Sequence, residues 1–331
     1  MVIPLLAQML CIDQPEIDTN RLSHAVIYQP KQETNMKSQS SSRALAFAML
    51  LSVNILAGCG NLSPVRTFAD ETKKLSAAFD PMLTGSTSSC IEKFKRKKLL
   101  TARHFDPVVA EQSAKELCGP IDDDNKIIAD LNSVLEQYAD TLAALADDEL
   151  PSYKTELNGL KDSLGKVKKP GTQDALVNSE KLGAIASLTD FLSRIVTQHM
   201  QKNAIHDLIG HEEAINAIAS ALSDYATLNY KAWLRDEQRE IDILRKSLDE
   251  SAKSEPLAAN YQKVLLLAEE RQIEARAKAV DAFVKSVSAL QKSNSELRAK
   301  FDHLDNKELL DQLASFEKEV SGLRKQIKDA F

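Results

Sequence analysis

Beyond residue 60 the apolar positions of this chain recur at intervals of three and four, the spacing of an amphipathic helix face. Phe68, Thr72, Leu75 and Phe79 form one stripe. Ile127, Leu131, Val134, Tyr138, Leu142 and Leu145 form a second, and Leu150, Tyr153, Leu157, Leu160, Leu164 and Val167 a third. Nowhere does an alternation of polar and apolar residues hold over a strand length, so the pattern predicts an all-α protein. Prolines mark helix starts, since a residue of the first turn has no intrahelical N–H bond to lose. Pro64, Pro107, Pro151 and Pro256 come after the candidate caps Ser63, Asp106, Asp148 or Glu149, and Glu255. A helix over 90–104 and another ending at Cys118-Gly119-Pro120 would make a hairpin. After a turn at Pro170-Gly171, Thr172 is placed to cap a helix over 173–209, and Gly210 ends it. Next come helices over 212–253 and from Pro256 to about Phe301. At 1.5 Å per residue these arms are about 55–70 Å long, which predicts an elongated antiparallel helical bundle or coiled coil.

The last arm carries a heptad: Val280, Phe283, Val287, Leu290, Asn294, Leu297, Phe301 and Leu304. A repeat of 3.5 residues needs a partner helix against it. Asn294 is the polar member of that seam, placed either to fix register or at a solvated bundle end. Asp305 with Glu308 has the spacing of a capping box. The stripe beyond it, Leu309, Leu313, Phe316, Val320, Leu323 and Ile327, is one residue out of phase, which predicts a break or reversal near 305. Pairs such as Asp242/Lys246, Glu274/Lys278 and Glu296/Lys300 belong to solvated faces. The expected division is a smaller, disulfide-clamped helical portion at 59–169 and a long-arm portion at 170–331.

Ten glycines, ten prolines and 5% aromatic residues in a 331-residue chain are too few for a sandwich, barrel or doubly wound sheet. With 42 Lys+Arg against 48 Asp+Glu the formal charge is −6, which gives no general attraction to nucleic acid.

The N-terminal region carries an address. Lys37 and Arg43 precede the twelve-residue apolar run Ala44 to Ile55, and a small-residue site comes after it: the layout of a secretory signal peptide over 36–58. That run is short of the roughly 20 residues a spanning helix needs. Leu56-Ala57-Gly58-Cys59 resembles the lipobox of bacterial lipoproteins. The resemblance covers Met36 to Cys59, and it implies cleavage before Cys59, diacylglycerol on its thiol and an acyl chain such as palmitate on its new amino group. Membrane lipid is then a partner through Cys59, and Gly60 after it implies sorting to the outer membrane, facing the periplasm. Residues 1–35 lie upstream of a complete signal peptide and read as an extension from a start codon placed too early, the alternative being an unusually long n-region. Without 1–58 the chain keeps 38 basic against 44 acidic residues, still −6.

With Cys59 acylated, Cys90 and Cys118 are left in an oxidising compartment, where pairing is the default and buried free thiols the alternative. A helical hairpin would return one beside the other, and closing that loop stabilises by about 3–4 kcal/mol.

Few residues suggest chemistry. His199, His206 and His211 are candidate metal ligands, but 199 and 206 stand two helical turns apart, about 10 Å, too far to share one ion. They read as seam or turn histidines. Gly159 to Lys166 departs from a phosphate loop in spacing and in lacking a preceding strand. The basic run Lys93, Lys95, Arg96, Lys97, Lys98 and Arg103 alternates with Ile91, Phe94, Leu99 and Leu100. It is either a contact for lipid head groups or an acidic partner, or a solvated face answering Asp122, Asp123 and Asp124. Trp233 is either a partner anchor or core. The expectation is a non-enzymatic, cofactor-free envelope protein that binds or spaces partners through helical faces. The alternatives are a metal protein or enzyme built on the three histidines and a membrane-shaping rod using 93–103.

Overall fold

The computed structural model describes residues 61–147, 149, 159–195 and 201–331, all within one packed unit. The signal peptide, the lipobox and the upstream extension lie outside the described residues. The helices are α1 Ser63–Ala77, α2 Asp80–Thr101, α3 Pro107–Ala146, α4 Leu160–Leu164, α5 Ser179–Ile195, α6 Gln201–Ile209, α7 Glu212–Asp224, α8 Lys231–Ser251, α9 Pro256–Ala299 and α10 Lys307–Ala330. A π-helical turn, Tyr225–Tyr230, joins α7 to α8. Among the described residues there is no strand, only an isolated bridge between Lys168 and Ala175. The fold is all-α.

Among the described residues the predicted stripes form much of the core. Leu150, Tyr153 and Leu157 of the third stripe, and the helix start at Pro151, lie outside the described residues, and its Leu160, Leu164 and Val167 are buried. Phe68, Thr72, Leu75 and Phe79 are fully buried, as are Leu131, Val134, Tyr138 and Leu142 of α3, where Ile128 rather than Ile127 opens the stripe. Every member of the α9 seam from Val280 to Phe301 is buried. So are Leu309, Leu313, Phe316, Val320 and Leu323 of α10, which folds back antiparallel to α9. The reversal is capped by Asn306, not Asp305: its Oδ1 accepts from Glu308 N at 2.9 Å and Leu309 N at 3.2 Å. Asn294 is buried and accepts from Tyr138 Oη at 2.8 Å, so this polar seam residue joins α9 to α3. Of the surface pairs, Glu274–Lys278 forms at 2.7 Å, whereas Asp242 accepts from Gln238 and Lys300 reaches Glu308.

Four further predicted boundaries are corrected. Cys90 does not open a helix: α2 starts ten residues earlier, at Asp80, with the Gly/Ser/Thr run 84–89 inside it. Gly85 is required there, because a Cβ would lie 2.5 Å from Tyr230 Oη. Cys118-Gly119-Pro120 does not end a helix, since α3 runs through it to Ala146. Pro120 is on the exposed side, where a carbonyl that has lost its amide donor can bond to water. Thr172 does not cap a helix at 173. Gly171, with φ +74°, turns the chain back, Leu176 N bonds Val167 O at 2.8 Å, and Asn178 caps α5 by accepting from Lys181 N. Ser63 is likewise inside its helix, with Asn61 Oδ1 accepting from its N–H at 3.0 Å.

Pro170-Gly171 is a turn within one core rather than a division of the packing. A single apolar cluster includes residues from 65 to 323.

Candidate functional site

Helices α1 and α2 run antiparallel to α3 with contacts that step regularly along it. Arg66 pairs with Asp147, Lys73 with Asp140 at 2.6 Å, and Ser76 Oγ donates to Asn132 Oδ1 at 3.1 Å. Further along, Ser86 Oγ donates to Asn125 Oδ1 at 3.2 Å, Cys90 is bonded to Cys118, and Lys95 stands 3.9 Å from Glu111. Asn61, two residues after Cys59, therefore lies at one end of α3, and the 102–106 turn lies at the other. The 40 residues of α3 separate them by about 60 Å.

The disulfide is present, with both cysteines 1% exposed. It closes between the middle of α2 and the first third of α3 rather than at helix ends.

The structure divides the basic run. Lys93 points at α8, 2.6 Å from Asp236 and over the Trp233 ring at 4.8 Å, so half-buried Trp233 serves an internal contact. Lys95 pairs with Glu92 at 2.8 Å. Arg96 is buried: its guanidinium reaches Glu237 at 3.1 Å and Glu269 at 2.8 Å. Glu237, 2% exposed, also takes Arg276 at 3.2 Å, and Arg276 donates to Ser89 Oγ at 3.1 Å. One carboxylate between two guanidiniums thus ties α2, α8 and α9 together. A charged cleft of about 680 Å³ opens over this knot, lined by Thr84, Ser88, Glu92 and Gln272 among others. Lys97, Lys98 and Arg103 remain exposed at the far end from Asn61, beside the exposed Phe105, Val108 and Val109.

His199 lies outside the described residues. His206 is exposed, with its ring 5.7 Å from that of Phe301 and Nδ1 3.7 Å from the Asp207 carboxylate. His211 packs on Phe191 with ring centroids 4.8 Å apart. Burial pushes its pKa below the ordinary histidine value, against a smaller opposing pull from Asp207. Among the described residues no group of three His, Cys, Asp or Glu side chains is arranged to hold a metal ion. Nor is any described helix long and apolar enough to cross a membrane.

Sequence reasoning missed two features. The Arg96–Glu237–Arg276 knot has no local signal, because charges on a helix look solvated until a neighbouring helix covers them. The second was legible: the first half of α9 is apolar on two opposite faces. Ala259, Leu266 and Ile273, seven apart, face the protein's own core. Leu257, Tyr261, Val264 and Ala268 stand on the other side within an arc of about 60° and are exposed, the first three at 84%, 63% and 65%.

No protein-family model, curated protein or solved structure matches this chain.

Proposed function

We propose that this chain is a lipid-anchored interaction and spacer module of a bacterial cell envelope, held to the outer membrane through acylated Cys59 and facing the periplasm. The observation that carries this is the Met36–Cys59 layout, a charged start, a twelve-residue apolar core and a lipobox. The helical body supports it. Asn61 and the α2–α3 turn stand at opposite ends of α3, so an anchor at Cys59 would hold the far turn about 60 Å from the lipid. The disulfide fits an exported chain, because such bonds persist in oxidising compartments.

The test is metabolic labelling with palmitate in a bacterial host, then crosslinked pull-down of the lipidated protein from its own envelope. Wild type should take up label and Cys59→Ser should not, leaving a soluble, still helical periplasmic protein. Label absent from wild type would defeat the anchor.

A second reading has a specific observation in its favour. Exposed Lys97, Lys98 and Arg103 next to Phe105, Val108 and Val109 form a cationic, apolar tip that suits an anionic surface, each cation contributing about 1 kcal/mol. Flotation of unlipidated protein with anionic liposomes, lost on adding salt, would favour it, and absence of flotation would remove it.

A further inference from the structure

The outward face of α9 has the geometry of an unfilled coiled-coil seam. Leu257, Tyr261, Val264 and Ala268 are spaced four, three and four apart, alternating as the a and d positions of a heptad do. A helix that is apolar all round is normally covered on all sides, and here one side is open. The flanking positions are Ala258, Asn260, Leu265 and Leu267, none of them charged, and both leucines are more than 40% exposed. The one charged side chain between Pro256 and Ala268, Lys263, is turned to Asp249 at 2.5 Å. Arg271, at the next position of the repeat, ends the seam.

We infer that the occupant of this seam is the same seam of a second copy of the chain. Charge selects it over lipid, because an anionic bilayer would find no free cation along the face and two identical uncharged seams meet without repulsion. Area agrees. The five exposed side chains Leu257, Tyr261, Val264, Leu265 and Leu267 offer on the order of 500 Å², as large as the largest patch an ordinary monomer leaves open. Two copies would bury about 1,000 Å², the lower limit of a specific interface.

Orientation is set by the anchor, and this part rests on the lipoprotein reading. Along α9, Glu269 lies beside Arg96 and Asn294 beside Tyr138, whose ring meets that of Phe68, so the helix runs toward the Asn61 end. Parallel pairing keeps both Asn61 ends on one side, where both Cys59 anchors enter one membrane. Antiparallel pairing sends them to opposite sides.

The experiment uses the full-length protein in its bacterial envelope. Detergent-solubilised wild type should sediment with the mass of two chains, and Val264→Glu should halve that mass with unchanged helical ellipticity. Leu257→Cys should crosslink to itself under oxidation, giving a doubled mass on a non-reducing gel that wild type and Gln262→Cys do not show. A one-chain mass for wild type, or a Leu257→Cys adduct to a different protein, would overturn the second copy as occupant. Crosslinking confined to a mixture of Leu257→Cys and Ala268→Cys chains would overturn the parallel arrangement. Palmitate incorporation is scored in the same preparation, so loss of the anchor is seen separately from loss of the dimer.

Discussion

Replacing Glu237 by alanine should be among the most destabilising single changes available in this protein. The carboxylate is 2% exposed and accepts from Arg96 at 3.1 Å and from Arg276 at 3.2 Å. Its removal leaves two guanidiniums, 10% and 13% exposed, facing each other at the floor of the cleft without the carboxylate between them. Breaking a buried pair in this way costs about 3–5 kcal/mol. Arg96 keeps Glu269, which is 43% exposed, and Arg276 keeps Ser89, so the lower part of that range applies, about 3 kcal/mol. For a folded body of this size each kcal/mol lowers Tm by about 2–4 °C, which places the melt of Glu237→Ala about 6–12 °C below wild type. The assay is thermal denaturation monitored by circular dichroism, at low salt and in 1 M NaCl. Because the group is buried, salt should leave the difference largely intact. Glu269→Ala should cost less than about 1 kcal/mol, since Glu269 itself sits at the rim, 43% exposed. A Glu237→Ala protein within 1 kcal/mol of wild type, or a difference that vanishes in salt, would refute the idea that this knot holds the three helices together.

Tyr138→Phe should cost about 1–3 kcal/mol, because it removes the donor that buried Asn294 accepts from. Adding Asn294→Leu should recover most of that loss in the same denaturant titration. Reducing the Cys90–Cys118 bond, or replacing both cysteines by alanine, should lower unfolding free energy by about 3–4 kcal/mol for a separation of 28 residues, read from the urea midpoint. His211 is held below its ordinary pKa by burial, so between that lowered value and about 6.5 the unfolded chain binds more protons than the folded one. Stability should therefore fall as pH drops below about 6.5 and level off once the folded-state pKa is passed, and His211→Phe should flatten that slope in urea titrations at several pH values.

The helices and their buried faces are readable because nearly every core position repeats at helical spacing, from Phe68 to Leu323. Boundaries are readable only where the local signal and the tertiary contacts agree. Asp106-Pro107 is such a case, with Asp106 Oδ1 accepting from Val108 N and Val109 N. Gly119-Pro120 is the opposite case: the dipeptide disfavours helix, but Cys118 is pinned to α2 and the proline faces out. Residues 172–178 mislead because Thr172 is a cap by residue type, whereas Leu176 and Val177 are buried by a turn-back against Val167 that has no local signal. At the site level, the disulfide partners come from cysteine counting. The fate of the basic run does not, since nothing in Lys93 to Arg103 says which side chains face α8 and which face water.

The π-helical turn between α7 and α8 has a consequence for tolerated length changes. Leu222 and Leu234 are both buried yet twelve residues apart, one more than the eleven that complete three α-helical turns. The turn at Tyr225–Tyr230 absorbs that surplus residue. Excising Leu228, whose side chain is 41% exposed, would let the segment wind as ordinary α-helix with Ile241 still facing inward. Outside Tyr225–Tyr230, the same excision between Glu212 and Glu237 would swing everything downstream by about 100° and carry the acidic knot residue away from its arginines. From Glu212 to Ser251, the six-residue window at Tyr225–Tyr230 is the place where a codon can be lost with the rest of α8 keeping its inward face.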